Sequence, residues 1–255
     1  AGWETMNFQQ ETKDRDPRLS QSIRTPGYKR MGQETFTAPD LKVSFTGYHP
    51  DKYVTTTDQD TYSNSDIDLV IFRSAEVMLN YAEALADAGT LTQADLDLSV
   101  NKLRDRVGMP HLSLTDANAN PDSFLTDPSY GGYQSSVLSA DANKGVILAT
   151  AGIDHNTELA KALNPQQCQE GHRYYDLMRW KEGKVFDAPF YGMYFPGVGV
   201  YDLDGNGTDD FEIYSSSATS KASVTKKLGT DIILKDGSAG MVLLHSDVAP
   251  KVVGG

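Results

Sequence analysis

The chain has 255 residues, with 23 Lys and Arg against 35 Asp and Glu, for a net charge of −12. That field repels phosphate backbones and anionic membrane surfaces, which argues against nucleic-acid binding as a main function. A 39% hydrophobic share is that of a globular chain, no apolar run is long enough to span a bilayer, and the single cysteine, Cys168, excludes an internal disulfide framework or a multi-thiolate zinc site.

Residues 1–65 are polar and rich in turn formers, and they read as loop with two short strands. The first periodic signal follows. Ala75, Met78, Leu79, Ala82, Leu85 and Ala86 recur at helical spacing and Gly89 ends the pattern, which predicts a helix over about 71–88. Thr92 with Asp95 three residues on is a helix-start pair. Leu96, Val100, Leu103 and Val107 form one face of a second helix, and Gly108 with Pro110 stops it. The two helices make a hairpin over about 71–108, close to the tetratricopeptide period of about 34 residues. No second copy occurs in the chain. Such a hairpin cannot cover its own apolar faces, so other helices cover it or its stacking partners lie outside this sequence.

Residues 111–155 read as loop. A third helix is predicted over about 165–182, with Asn164 as its cap, Pro165 in its first position, Gln167 completing the cap and Gly183 after its last turn. Its inward face takes Cys168, His172, Tyr175 and Met178 or Arg179. The remainder, about 184–250, is aromatic, Gly-rich and Ser-rich, with short strands at about 230–234 and 241–244. The expected fold is mainly α, with long loops and a few short strands.

The sharpest chemical motif is the run from Asp202 to Asp210. Asp202, Asp204, Asn206 and Asp210 put oxygen-bearing side chains at positions 1, 3, 5 and 9, Thr208 offers a backbone carbonyl at position 7, and Gly207 stands at 6. A hard cation needs six to eight oxygens around a tight turn, so these five residues are the candidate ligands of a structural Ca²⁺. An EF-hand has a bidentate Glu at position 12, where this chain has Ile213, and Glu212 is one place early. The bland alternative is a solvated Asp/Asn/Gly turn. Catalytic patterns are sparse. The five histidines lack His-Glu-x-x-His spacing, there is no Gly-x-Ser-x-Gly elbow, and the Ser-x-x-Lys matches at Ser99 and Ser223 have no companion motif. Phe186, Phe190, Tyr191, Tyr194, Phe195 and Tyr201 cluster within sixteen residues; such rings can stack on sugars but more often pack beneath a loop.

Three segments together resemble the SusD/RagB-type glycan-binding lipoproteins of Bacteroidetes. They are Phe72-Arg73-Ser74-Ala75-Glu76-Val77-Met78-Leu79-Asn80-Tyr81-Ala82-Glu83-Ala84 running on to Asn101-Lys102-Leu103-Arg104-Asp105-Arg106-Val107-Gly108-Met109-Pro110, then Glu170-Gly171-His172-Arg173-Tyr174-Tyr175-Asp176-Leu177-Met178-Arg179-Trp180-Lys181, and Arg15-Asp16-Pro17-Arg18-Leu19. The resemblance implies that residues 1–255 are the C-terminal portion of a SusD-like domain, with the family's lipid-bearing Cys and further helical repeats preceding it in a longer protein. It also implies a non-catalytic surface lipoprotein of the outer membrane. That protein binds oligosaccharide or polysaccharide and passes it to a SusC-like TonB-dependent transporter. A peptide-uptake (RagB-like) or structural, adhesive subunit is the alternative. Ligand aromatics vary widely in such proteins, and Trp3, near the family's mid-chain Trp-containing loop, is the one ligand-binding residue to expect.

Overall fold

The computed structural model describes residues 2–15, 17–61, 63–68, 71–121 and 189–245, with 123, 175, 178, 180, 181 and 183–187 between them. The chain divides into two compact units. One joins Ala1–Asp68 to Pro189–Ser246, and the other comprises Leu69–Ala188 with Asp247–Gly255.

The first unit is held by contacts between its two distant chain segments. After a single 3-10 turn at Trp3–Thr5, the short helix α1 (Phe8–Thr12) starts from a reciprocal cap, with Asn7 Oδ1 accepting from Gln10 N–H and Gln10 Oε1 from Asn7 N–H. Two orphan donors of the first turn are thereby satisfied. Phe8 and Glu11 point inward, and the Tyr48 hydroxyl donates to the Glu11 carboxylate at 2.9 Å.

Two small sheets follow. β1 (Phe190–Phe195) pairs antiparallel with β5 (Gly240–His245); β3 (Phe211–Tyr214) lies between antiparallel β2 (Gly199–Tyr201) and parallel β4 (Val224–Lys227). Met193, Phe195, Phe211, Ile213, Leu234 and Ile23 are essentially fully buried. Phe195 packs edge-on to Tyr201, ring centroids 4.9 Å apart, and lies 5.2 Å from Phe211. β1 also runs tightly against the 44–48 turn, where Met193 N–H donates to the Thr46 carbonyl at 2.8 Å. A Cβ on Gly192 would lie 2.3 Å from that carbonyl oxygen, so the approach requires glycine.

The second unit carries the predicted hairpin. α2 (Ser74–Asp87) ends at Gly89, φ +68°, with Gly89 N–H donating to the Ala86 carbonyl. The second helix is divided. α3 (Gln93–Leu98) starts from the Thr92–Asp95 capping box, Ser99 leaves helical conformation, and α4 (Val100–Arg106) resumes to Gly108. Leu79, Ala82, Ala86, Leu91, Leu96 and Val100 form a buried aliphatic cluster, joined by Leu103, Leu112, Leu114 and Ala117. The last two belong to α5 (Leu114–Ala119), which lies in a stretch expected to be loop and is capped by Ser113. Asn101, fully buried, holds the approach to α5. Its Oδ1 accepts from Leu112 N–H at 2.6 Å, and its Nδ2 donates to the Asp97 carboxylate and the Leu112 carbonyl.

Of the predicted third helix at about 165–182, Tyr175 and Met178 are helical and the rest lies outside the described residues, save Trp180 and Lys181 in a turn. The Trp180 indole N–H donates to Glu83 of α2 at 2.6 Å. The expectation of a mainly α chain is corrected: the described residues are a mixture of five helices and five strands. The 190–245 stretch forms the sheets, because short strands built on aromatics and glycines show no sustained apolar period. The predicted strand at about 230–234 is instead two isolated bridges, Leu228 with Ile232 and Leu234 with Val242. The 2–68 segment contributes one isolated bridge, Ile23 with Pro50. Among the described residues no helix is long and apolar enough to cross a membrane.

Candidate metal centre

The Asp-rich run is the connection between β2 and β3, whose register pairs Tyr201 with Phe211 and is continued by Asp210 N–H donating to the Tyr201 carbonyl at 2.9 Å. Nine residues thus bridge two adjacent antiparallel strand ends. Gly205 and Gly207 adopt φ of +79° and +84°, which lets the loop turn back on itself. Leu203, 3% exposed, anchors it in the core.

The carboxylates organise the backbone around them. Asp202 accepts from Gly205 N–H at 2.7 Å and from Gly207 N–H at 2.8 Å, one to each oxygen. Asp204 accepts from the backbone and carboxamide N–H of Asn206, both at 3.0 Å. One oxygen of Asp210 takes Leu203 N–H at 2.9 Å and Asp204 N–H at 3.2 Å. As a result one oxygen from each of Asp202, Asp204 and Asp210 lies within 4.8 Å of the other two. Two ligands of one Ca²⁺, each 2.3–2.6 Å from it, stand at most about 5 Å apart, a condition that each pair of these oxygens meets. Asp204 is 2% exposed, and burial first, then the charges of Asp210 and Asp202, push its carboxyl above the ordinary range. Three close acids, one of them buried, form an electrostatic arrangement that a cation relieves.

The two remaining expected ligands stand differently. Asn206 Oδ1 accepts from Thr208 N–H at 2.7 Å and from the Thr208 hydroxyl, so a cation would take that oxygen from Thr208. Thr208 itself is exposed. Glu212 is absent from the cluster. It is buried in β3, and its carboxylate accepts from the backbone and hydroxyls of Ser220 and Thr219 at 2.7–3.2 Å, hydrogen bonds that hold its acidity below the ordinary value for Glu. It pins the turn after β3.

Two contacts tie the loop to the far N-terminal segment. The Asp204 carbonyl accepts from Gly27 N–H at 2.7 Å, and the Asp202 carbonyl accepts from Gln9 Nε2 at 3.1 Å across 193 residues. No sequence period signals these, since a backbone carbonyl has no residue-type signature.

Trp3 lies in the opening 3-10 turn, and its side chain is outside the described residues. In the predicted aromatic cluster, Phe195 and Tyr201 serve the core with Phe211, while Phe186 and Phe190 are exposed. His49 Nδ1 accepts from Asp40 N–H at 3.1 Å and His111 pairs with Asp105 at the surface, so neither contact is to a hydroxyl or thiol nucleophile.

Residues 2–161 match the family model described as the SusD family. No curated protein and no solved structure matches the chain. The matched stretch takes in α1 to α5 and ends before the Asp-rich loop.

Proposed function

Because the chain belongs to the SusD family, we propose that it captures oligosaccharide or polysaccharide at the cell surface and delivers it to a SusC-like TonB-dependent transporter. Surface binding of glycans or peptides for nutrient uptake is what the family does, as outer-membrane lipoproteins without catalysis. The observation that carries the reading is the match over residues 2–161, well over half the chain. The absence of a His-Glu-x-x-His or Gly-x-Ser-x-Gly pattern agrees with a binding role. Trp3 is the proposed ring on which a sugar face stacks.

The Asp-rich loop serves this role structurally, with one Ca²⁺ held by Asp202, Asp204, Asn206, Asp210 and the Thr208 carbonyl. The convergence of three carboxylate oxygens supports it. With the Gly27 and Gln9 contacts, a bound ion would stiffen the junction between the N-terminal segment and the β2–β3 hairpin.

Affinity purification of the full-length protein from its own outer membranes tests the delivery step. A TonB-dependent transporter should co-purify in near-equal amount. Recovery of the protein alone under mild detergent would contradict it.

A further inference from the structure

A cleft of about 150 Å³ in the first unit shares no lining residue with the Asp-rich loop. Its walls come from the 41–45 turn, β4, the 230–233 turn and β5. Leu41, Ile232 and Val242 form its buried floor at 2%, 6% and 2% exposure, while Phe45, Ile233 and Leu244 stand at its mouth at 65%, 52% and 41%. Solvent-facing apolar side chains gathered at a hollow that also carries the polar residues Lys226, Thr230 and Asp231 are an arrangement by which proteins take up ligands. The size sets a limit: a cleft near 150 Å³ holds a benzene-sized group, not a sugar chain.

Polar groups on the lining narrow the choice further. Thr230 and Asp231 are engaged in the turn, with Thr230 N–H donating to the Lys227 carbonyl and Asp231 accepting from Lys227 N–H at 2.9 Å. Lys226, by contrast, lines the cleft, and its side chain makes no hydrogen bond or ion pair to any described residue. An uncommitted ammonium on a half-exposed stem, next to a benzene-sized hollow with an apolar floor, suits an anion attached to an apolar group.

We propose that this cleft binds a carboxylate joined to a benzene-sized apolar group, with the apolar group on Leu41, Ile232 and Val242 and the carboxylate on Lys226. The C-terminal residue of a peptide and a small free arylalkyl acid share this chemistry. None of its lining residues belongs to the metal loop.

The test is methyl NMR on the whole chain, following Ile232, Ile233, Val242 and Leu244 during titration with three probes. These are N-acetylphenylalanine, 3-phenylpropanoate and the neutral N-acetylphenylalaninamide. Both acids, or the acetylated amino acid alone, should shift these methyls saturably; the second pattern restricts the site to peptide ends and the first admits free acids. The neutral amide should bind about threefold to fivefold more weakly than its acid, the size of a solvent-exposed ion pair. Lys226→Gln should abolish that difference and leave amide binding unchanged, and Phe45→Ala should weaken acid and amide alike. Unshifted methyls, or an amide that binds the wild-type chain as tightly as the acid, would overturn the proposal without recourse to any variant.

Discussion

The two units are stabilised by different means. In the helical unit, an aliphatic cluster is assembled from Leu79, Ala82, Ala86, Leu91, Leu96 and Val100, all within 22 positions of one another. In the sheet unit, Phe195 and Phe211 are buried against each other, and Met193 is buried against the 44–48 turn from the other end of the chain. Side-chain to backbone bonds such as Gln9 to Asp202 and backbone pairs such as Gly27 to Asp204 close the loops. Local contacts cost little loop-closure entropy, whereas joining residues 193 apart must be repaid by many cooperative contacts. The helical unit is therefore expected to tolerate loss of the sheet core better than the sheet unit tolerates loss of either of its segments.

Core truncations separate the two most strongly. Phe211→Ala should destabilise the sheet unit by about 3–5 kcal/mol, and Leu96→Ala the helical unit by about 2–5 kcal/mol. Hydrogen exchange should show lost protection at both 2–68 and 189–245 for the first and within 71–119 for the second. Loss confined to one of the two segments in Phe211→Ala would break the comparison. A metal effect should fall on one side only. Calcium at a hundred times its dissociation constant adds about 2.7 kcal/mol, so chelation should lower the melting temperature and deprotect the Gly27 amide, while α2 to α5 stay unchanged. Asp204→Asn should remove the response, and a melting curve indifferent to chelator would remove calcium from the account.

Smaller effects test the polar pins. Asn101→Ala leaves the Leu112 N–H unpartnered in a part-buried place, while the Leu112 carbonyl keeps its bond from Gln93, at about 1–3 kcal/mol, and should loosen α5 before α2 in hydrogen exchange. The smallest is His49, which faces Arg24, Asp40 and Asp51 in the sheet unit. Burial first and then Arg24 lower its pKa below the usual histidine value, and Nδ1 must be neutral to accept from Asp40 N–H. The folded state then binds fewer protons than the unfolded one, so this contribution is intact above about pH 6.5 and is lost as pH falls through the folded pKa. An NMR titration should show His49 titrating below free histidine, with faster Asp40 amide exchange once it is charged. A value at or above that of free histidine would contradict the assignment.

The same contrast decides what was legible in the sequence. The apolar spacing from Ala75 to Ala86, the Thr92–Asp95 cap and the Gly89 stop all match the helical unit, because a helix writes its buried face into adjacent residues. The interruption at Ser99 was not legible: Leu96 and Val100 keep one continuous period across it. The spacing of the Asp-rich loop brought out the three carboxylates that meet, since each is placed by its own turn. Its anchors at Gln9 and Gly27, the parallel pairing of β3 with β4, and the cleft under Phe45 depend on partners distant in sequence, and no local pattern records them.

Retention without cleavage is the central claim. Native electrophoresis of the full-length protein through gels containing a panel of polysaccharides, with reducing ends assayed in parallel, measures both halves of it. The account predicts retardation by at least one glycan, reduced in Trp3→Ala, with no rise in reducing ends. Free migration through every glycan, or reducing ends that accumulate with time, would contradict it.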